Sequence, residues 1–347
     1  MKILYAIQGT GNGHLSRARD IIPALRKVCK TDILVSGYQS DVKLPYDIDY
    51  KFNGLSFIFG KRGGVDIWNT YVRANMKRLL KEIKEVPVES YDFVINDFEP
   101  VTAWSCWRKK VPCVSLSHQA AVLNSASPKP FSLDLFGKFV LANYAPTNKQ
   151  FGFHFSPYAS NIFTPVIREE IRKAKVVDKA HYTVYLPAYG DEKLVILLSQ
   201  IKGVKWQVFS KHAKSKAWFG DVEIIPIDND SFIESLRKCT GLLSGAGFES
   251  PAEALFMGKK LLAIPMKSQY EQMCNAAALK KMGVPVIKQL KQQNLYKLQK
   301  WIDSNAKIEV EYPNITDKVI RKVFESQIIE SASNYFSETR FNLEFQE

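Results

Sequence analysis

The stretch that decides the fold is residues 243–276, LSGAGFESPAEALFMGKKLLAIPMKSQYEQMCNA. The apolar residues just before and at its start are typical of the end of a buried strand, and the small residues 244–247 let the backbone turn tightly or a ligand come close. Apolar residues then recur at helical spacing from 248 to 257, with Gly258 just beyond. Residues 260–265 predict the next strand, and a second helix is predicted to begin near Gln269.

The order of these elements is strand, glycine turn, helix, strand, turn and helix. Such a unit places two helix N-termini in the crevice at the carboxyl ends of parallel strands. The free N–H groups and the positive helix ends suit a diphosphate. Two acidic side chains in the same unit, Glu253 and Glu271, are unusual for an anion site. A carboxylate can accept hydrogen bonds from sugar hydroxyls, so the pair favours a sugar beside the phosphates. Each glutamate alone also fits an ordinary helix position.

This stretch resembles the donor-binding half of GT-B nucleotide-sugar glycosyltransferases, whose pattern is G-x-x-(S/T)-x-x-E-A, then Pro, then (D/E)-Q-x-x-N-A. The chain meets the pattern at Gly247, Ser250, Glu253, Ala254, Pro265, Glu271, Gln272, Asn275 and Ala276. The resemblance implies that Glu253 holds the nucleotide ribose and that Glu271 and Gln272 hold the sugar hydroxyls. It also implies that the turn binds the donor, through Gly245, Ala246, Gly247 and Phe248.

A second glycine-rich turn follows the first predicted strand, residues 2–7. Its glycines at 9, 11 and 13 read G-x-G-x-G, which does not meet the dinucleotide-binding fingerprint. His14 stands at the start of the next predicted helix, where the positive helix end disfavours an imidazolium and leaves the ring able to accept a proton. The alternative is a histidine that caps its helix or lies in solvent.

The segment Gly-Asn-Gly-His at 11–14 resembles the Gly-x-Gly-His signature of several GT-B families, among them the peptidoglycan N-acetylglucosaminyltransferase and small-molecule glycosyltransferases. The resemblance implies that His14 is the general base or helps to form the acceptor site. Arg17 extends the motif to GxGHxxR, which also resembles a UDP-sugar hydrolase of nonulosonic acid synthesis and a group of uncharacterised transferase homologues. The acceptor side of the cleft is therefore predicted to include Gly11, Asn12, Gly13 and Arg17.

Polar residues follow two further predicted strands of the first half, 92–96 and 113–117. Asp97 and His118 would point into the same crevice as His14, where either could orient it or contact an acceptor hydroxyl. Asp97 is preferred, because its position matches an acidic one in related transferases; a helix-capping segment before Pro100 is the alternative. The other elements predicted in this half are strands at 32–36 and 47–52 and helices at 65–85 and 100–109.

The chain of 347 residues is long enough for two domains with full cores. The net charge is +13, with 48 Lys and Arg against 35 Asp and Glu, which favours an anionic partner. The positive charge is spread and no nucleic-acid motif is present, so we expect no nucleic acid. Five widely spaced cysteines indicate neither a disulfide framework nor zinc, which fits a cytoplasmic protein. The N-terminal apolar run is too short for a signal peptide.

Two segments are candidates for contact with lipid. Residues 61–84 combine seven Lys or Arg with apolar side chains, and residues 129–141 read KPFSLDLFGKFVL. Basic amphipathic helices with aromatic residues can lie in an anionic interface, and a lipid-linked acceptor would explain them. Such segments more often pack against their own domain. Peripheral contact with the inner face of the membrane is the alternative that these segments leave open.

The sequence Asp228-Asn-Asp230 is a D-x-D, the metal-binding motif of the other large glycosyltransferase fold. We reject that role because it directly precedes a predicted helix at 232–239, for which Asp230 or Ser231 is a good N-cap. In GT-B proteins the corresponding turn frames the nucleotide base, so the resemblance points to Phe232. We predict no metal and no cofactor.

The predicted fold is α/β, with two Rossmann-like doubly wound parallel-sheet domains facing a cleft. The predicted parts are an acceptor domain at 1–156, a linker at 157–180, a nucleotide-sugar domain at 181–315, and a C-terminal helix within 316–347 that packs back on the first domain. The predicted function is metal-independent transfer of a sugar from a nucleotide donor, UDP-linked by preference, to an acceptor hydroxyl. Hydrolysis or 2-epimerisation of the nucleotide-sugar, and non-catalytic binding of it, are the alternatives.

Overall fold

The computed structural model of the protein describes residues 1–37, 44–55, 76–131 and 134–327. Most of the basic segment 61–84, and the corresponding part of the predicted helix 65–85, lie outside the described residues. The same holds for residues 328–347 of the predicted C-terminal helix.

The first half forms a seven-stranded parallel sheet in the order β3-β2-β1-β4-β5-β6-β7. Its strands are β1 Lys2–Gln8, β2 Lys30–Ser36, β3 Tyr50–Phe52, β4 Phe93–Asp97, β5 Cys113–Ser117, β6 Lys149–Phe153 and β7 Ile162–Phe163. Both β4 and β5 are buried along their whole length, as expected for a parallel sheet that is covered on both faces.

The second half forms a six-stranded sheet in the order β10-β11-β9-β8-β12-β13, in which only the β10–β11 pair is antiparallel. Its strands are β8 His181–Tyr185, β9 Lys205–Ser210, β10 Ala217–Phe219, β11 Val222–Pro226, β12 Gly241–Gly245 and β13 Lys260–Ile264. Two mostly parallel sheets with connecting helices confirm the predicted fold class.

Helices cover both sheets. The first half has α1 Asn12–Arg26, α2 Met76–Glu85, α3 Pro100–Lys109, α4 His118–Leu123 and α5 Leu135–Tyr144, and the short α6 Glu169–Arg172 follows β7. The second half has α7 Asp191–Leu198, α8 Asn229–Lys238, α9 Glu249–Phe256, α10 Tyr270–Lys281 and α11 Leu295–Asp303. The predicted unit of strand, glycine turn, helix, strand and helix is therefore observed as β12, α9, β13 and α10.

Side chains along β1 point alternately to the two faces of the first sheet, so the core of the first half has one part on each face. Ile3, Tyr5 and Ile7 pack on the face that holds α1, whereas Leu4 and Ala6 pack on the face that holds α2 and α3. Helix α12, residues 316–327, contacts the first sheet near the end of the described chain. There the Phe324 ring lies edge-on to Phe93, with ring centroids 5.2 Å apart.

Three details differ from the sequence predictions. The predicted linker contains β7, because Ile162 is buried against β6 and extends the first sheet. The strand predicted at 47–52 is limited to β3. Helix α8 begins at Asn229 and is capped by Asp228, whose carboxylate accepts from the Ser231 N–H at 2.9 Å, so neither Asp230 nor Ser231 is the cap.

Candidate active site

A cavity of about 500 Å³ lies between the two sheets and is lined by residues from both halves. The first half contributes the β1–α1 turn and parts of α4 and α5. The second half contributes the turns before α9 and α10 and the start of α8. Three helices, α1, α9 and α10, have their N-termini here, and in the described chain none of the three is capped by the side chain of its N-cap residue. Their first N–H groups are therefore not taken up by such a cap.

The start of α1 depends on one glycine. Gly11 has φ of 92°, a conformation that an L side chain rarely adopts, and it forms the N-cap of the helix. The turn brings His14 into the cavity, where its Nδ1 atom lies 2.8 Å from Oδ1 of Asp97 at the end of β4. Asp97 is completely buried. The structure thus brings together the two residues that the sequence predicts as catalytic.

Arg17 binds both carboxylate oxygens of Asp97, including the one that contacts His14. Its Nη2 atom donates to both carboxylate oxygens, at 2.7 and 2.9 Å, and Arg17 is itself buried. Burial alone would raise the pKa of Asp97, but the charges and hydrogen bonds of Arg17 and His14 outweigh it and hold the pKa below its usual range. Asp97 is therefore a carboxylate held in position for His14.

Arg17 also crosses the cleft. Its Nη1 atom donates to the carboxylate of Glu249, the first residue of α9. Burial raises the pKa of Glu249 to about 8, although the neighbouring Arg17 opposes the shift. Helical periodicity does not distinguish Glu249 from any other first-turn residue, so the sequence analysis missed it.

His118 joins the two halves. Its Nδ1 atom lies 2.8 Å from the Phe153 carbonyl oxygen, and its Nε2 atom lies 2.8 Å from Oδ1 of Asn275 on α10. Its ring stacks on Phe248 with centroids 3.9 Å apart. His118 and Phe248 both line the cavity, one from each half, so their stacking fixes the approach of α4 to α9.

Gln119 links His14 to α10 and was not among the predicted site residues. Its amide nitrogen donates to Oε2 of Glu271 at 3.0 Å and lies 3.5 Å from Nε2 of His14. Gln272 accepts the Met266 N–H at 2.9 Å, which holds its side chain at the entrance of α10. The only sequence signal for Gln119 is its polar character directly after a buried strand.

The carboxylate of Glu253 is less accessible to a ligand than its predicted contact with the nucleotide ribose would require. Arg168 donates to its two carboxylate oxygens at 2.6 and 2.8 Å, and both residues are buried while lining the cavity. Arg168 lies in the predicted linker, where the surrounding charged stretch gave no sign of a buried partner. Phe232 lines the same end of the cavity and packs edge-on against Tyr185 and Phe209.

The other predicted site residues fall into two groups. Those that line the cavity are Gly11, Asn12, Gly13, Gly245, Gly247, Glu271 and Gln272. Ala246 does not line it; it is wholly buried, and its carbonyl oxygen accepts from Nδ2 of Asn275 at 3.1 Å. Among the residues that the structure describes, no group of three His, Cys, Asp or Glu side chains could hold a metal ion.

The family model of glycosyl transferase family 1 matches residues 1–304. MurG from Acinetobacter baumannii has a similar fold, with 12% identity and a TM-score of 0.52 over 87% of this chain and 90% of that one. The spinosyn forosaminyltransferase SpnP gives 12% identity and a TM-score of 0.55 over 97% and 99% of the two chains. UGT2 from Phytolacca americana is 13% identical, with a TM-score of 0.55 over 92% of this chain and 89% of that one. None of the curated protein sequences compared with the chain matches it.

Two parallel sheets that face each other across one cleft define the GT-B class of glycosyltransferase folds. The chain belongs to glycosyl transferase family 1 and has the GT-B fold, so it is a glycosyltransferase and an enzyme.

Proposed function

We propose that the enzyme transfers a sugar from a UDP-sugar to an acceptor hydroxyl and needs no metal ion. One observation carries the proposal: the paired His14 and Asp97 face the N-termini of α9 and α10 across a single cavity. A proton acceptor on one side and two anion-binding helix ends on the other are what such a transfer requires.

The donor diphosphate would lie at the N-terminus of α9, beside Gly245 and Gly247. Glu271 and Gln272 at the start of α10 would then contact the sugar hydroxyls. Phe232, at the far end of the cavity, would contact the base, with Glu253 near the ribose. These residues share one cavity, which supports a single extended ligand. Phytolacca americana UGT2 and LpCGTa have similar folds. The first was solved in complex with UDP-2-fluoro-glucose and the second in complex with UDP, which supports UDP as the nucleotide.

His14 would accept the proton of the acceptor hydroxyl while Asp97 fixes its ring and balances the developing positive charge. The acceptor oxygen forms a bond to the anomeric carbon as the bond from that carbon to the β-phosphate oxygen breaks. The negative charge that grows on the leaving UDP would be stabilised by the N–H groups of α9. In this proposal the transfer relies on proton transfer and electrostatic stabilisation by these residues.

Helix α5 supports an apolar, lipid-linked acceptor. Gly137, Val140 and Leu141 line the cavity, while Leu135, Phe136 and Phe139 on the same helix are 60–69% exposed. An apolar chain that follows this helix from outside would reach the side of the cavity that holds His14.

The surroundings of α5 suit an anionic membrane surface. Trp107, near the end of α3, is 69% exposed and is flanked by exposed Arg108 and Lys110. The ring of the neighbouring Trp104 donates to the carbonyl oxygen of Tyr144 at 3.2 Å, so the middle of α3 lies beside the end of α5. Aromatic and basic side chains on one surface are typical of peripheral membrane binding. None of the helices in the described ranges has the length and hydropathy needed to cross a bilayer.

The proposal is tested by calorimetry with UDP and by turnover assays with a panel of UDP-sugars and lipid or small-molecule acceptors. We expect His14→Ala to keep UDP affinity within about twofold and to lose turnover by about a hundredfold to ten-thousandfold, because only the general base is removed. The exposed His212→Ala is the matched control and should behave like wild type. Rapid UDP release without any acceptor would instead indicate a hydrolase, and full activity of His14→Ala would exclude the proposed base.

A further inference from the structure

The described lining of the cavity contains more negative than positive side chains, which is unusual for a diphosphate site. Its cations are Arg17 and Arg168, and its carboxylates are Asp228, Glu249, Glu253 and Glu271. Both arginines already bind carboxylates. The overall net charge of +13 is therefore not concentrated on this lining, and a bound diphosphate would meet uncompensated negative charge.

Three of these carboxylates have partners of their own. Glu253 is held by Arg168, Asp228 caps α8, and Glu271 accepts from Gln119. Glu249 is different, because Arg17 is the cation it shares with the buried Asp97. Two carboxylates therefore compete for one guanidinium.

Glu249 also lies where the diphosphate would bind. It is the first residue of α9, and it lies against the start of α1, where a Cβ atom added to Gly13 would be 3.1 Å from its Cγ. A carboxylate is stable between two helix N-termini when it is the only anion there. A diphosphate at the same helix end adds at least two negative charges, so a charged Glu249 would oppose its binding.

We propose that Glu249 is neutral when the donor diphosphate is bound and donates its carboxyl hydrogen to a phosphate oxygen, so that binding takes up a proton from solvent wherever the free enzyme holds Glu249 charged. No covalent bond forms or breaks in this step. The inference rests on the proposed function, since it concerns the UDP moiety of the donor in the same cavity.

The surroundings of Glu249 favour its neutral form at neutral pH and support proton uptake on donor binding above about pH 8. Burial raises its pKa to about 8; Arg17 and Arg168 act against the shift, and Glu253 and Asp97 add to it. The titratable and charged groups that act on Glu249 come from β1, β4, α1, α9 and the segment before α6, and they are Tyr5, Asp97, Arg17, Glu253 and Arg168. The approaching diphosphate is a further negative charge and raises the pKa again.

The test is calorimetry of UDP binding in two buffers of different ionisation heat, with the complete chain. UDP is at least about nine-tenths ionised throughout this range because its last phosphate pKa is about 6. If the protonated form binds, the dissociation constant for UDP should rise about thirtyfold from about pH 7 to pH 9.5. Proton uptake should approach one per UDP bound as the pH rises above 8, the value to which burial raises the pKa of Glu249.

In Glu249→Gln, the dissociation constant should stay flat across the same pH range, with no proton uptake and tighter binding than wild type at the upper end. Glu192→Gln makes the same chemical change at an exposed first-turn position of α7 and should keep the wild-type pH dependence. UDP binding to wild type without proton uptake, or an unchanged pH dependence in Glu249→Gln, would overturn this inference alone. Failure of wild type to bind UDP at any pH would overturn the proposed function as well.

Discussion

Arg168 forms two parallel hydrogen bonds with Glu253, from Nε at 2.6 Å and from Nη2 at 2.8 Å. Arg168 belongs to the connection between the two sheets, whereas Glu253 lies in the second turn of α9. A further bond, from Nη1 to Oδ1 of Asn229 at 2.6 Å, extends the contact to α8. One buried guanidinium thus fixes the connection to both helices at the proposed nucleotide end of the cavity, and the ribose contact proposed for Glu253 depends on that orientation.

Removal of Arg168 should destabilise the fold strongly. Arg168→Ala leaves the buried Glu253 carboxylate without its cation, and we expect a loss of about 3–5 kcal/mol in the free energy of unfolding. Chemical denaturation measures this loss. Arg237→Ala, which breaks the more exposed pair with Glu234, is the matched control and should cost less than about 1 kcal/mol. Equal losses in the two variants would show that the buried pair has no special role.

The buried His154 should make stability depend on pH. Burial, with smaller effects from His118 and Lys129, lowers the pKa of His154 from 6.5 to about 2. The unfolded chain therefore binds a proton below pH 6.5 that the folded chain does not. The contribution of His154 to the free energy of unfolding should therefore be constant above pH 6.5. Below that pH it should fall by about 1.4 kcal/mol per pH unit.

Denaturation at several pH values between about pH 7.5 and pH 4.5 separates this contribution from those of the acidic residues. In His154→Phe, the free energy of unfolding should fall less steeply with decreasing pH, because the contribution of His154 is gone. His212→Gln, at an exposed position, should show the wild-type pH dependence. A wild-type slope in His154→Phe would show that other groups cause the acid sensitivity.

Gly152 in β6 should not tolerate a side chain. A Cβ atom there would lie 2.5 Å from the backbone nitrogen of Ala121, because α4 packs its backbone directly on the strand. Gly152→Ala should lower the free energy of unfolding by about 1–3 kcal/mol through overpacking. In Gly190→Ala, the new Cβ has no atom within 4 Å, so the change costs only the poorer N-cap that alanine makes for α7, less than about 1 kcal/mol. Thermal unfolding compares the two, and equal midpoints would contradict the close packing.

Exposed aromatic residues of α5 should control vesicle binding. Phe136→Asp and Phe139→Asp each place a charge where burial of an aromatic ring in lipid is worth about 1.5–3 kcal/mol, so binding to phosphatidylglycerol vesicles should fall at least about tenfold. Tyr296→Asp, at an exposed position on α11, is the control and should bind like wild type. Cosedimentation measures the binding, and unchanged binding of both phenylalanine variants would rule out α5 as the contact.

Much of the fold could be predicted from the sequence because its signals are local. The apolar runs and the glycine turn predict β12, α9, β13 and α10 within one or two residues, since hydrophobic periodicity depends on near neighbours. The same reasoning places His14 and Asp97 at one edge of the first sheet, because the carboxyl ends of parallel strands meet there. Their separation of 2.8 Å agrees with that placement.

The sequence by itself thus determined the two-sheet fold and the edge at which the polar residues gather. Only the tertiary structure decided which charges pair. Arg17 binds Glu249, 232 positions away, and Arg168 binds Glu253, 85 positions away. Which charges pair depends on how closely the two sheets approach and on which carboxylates are buried away from water. Neither property can be read from the local pattern of residues.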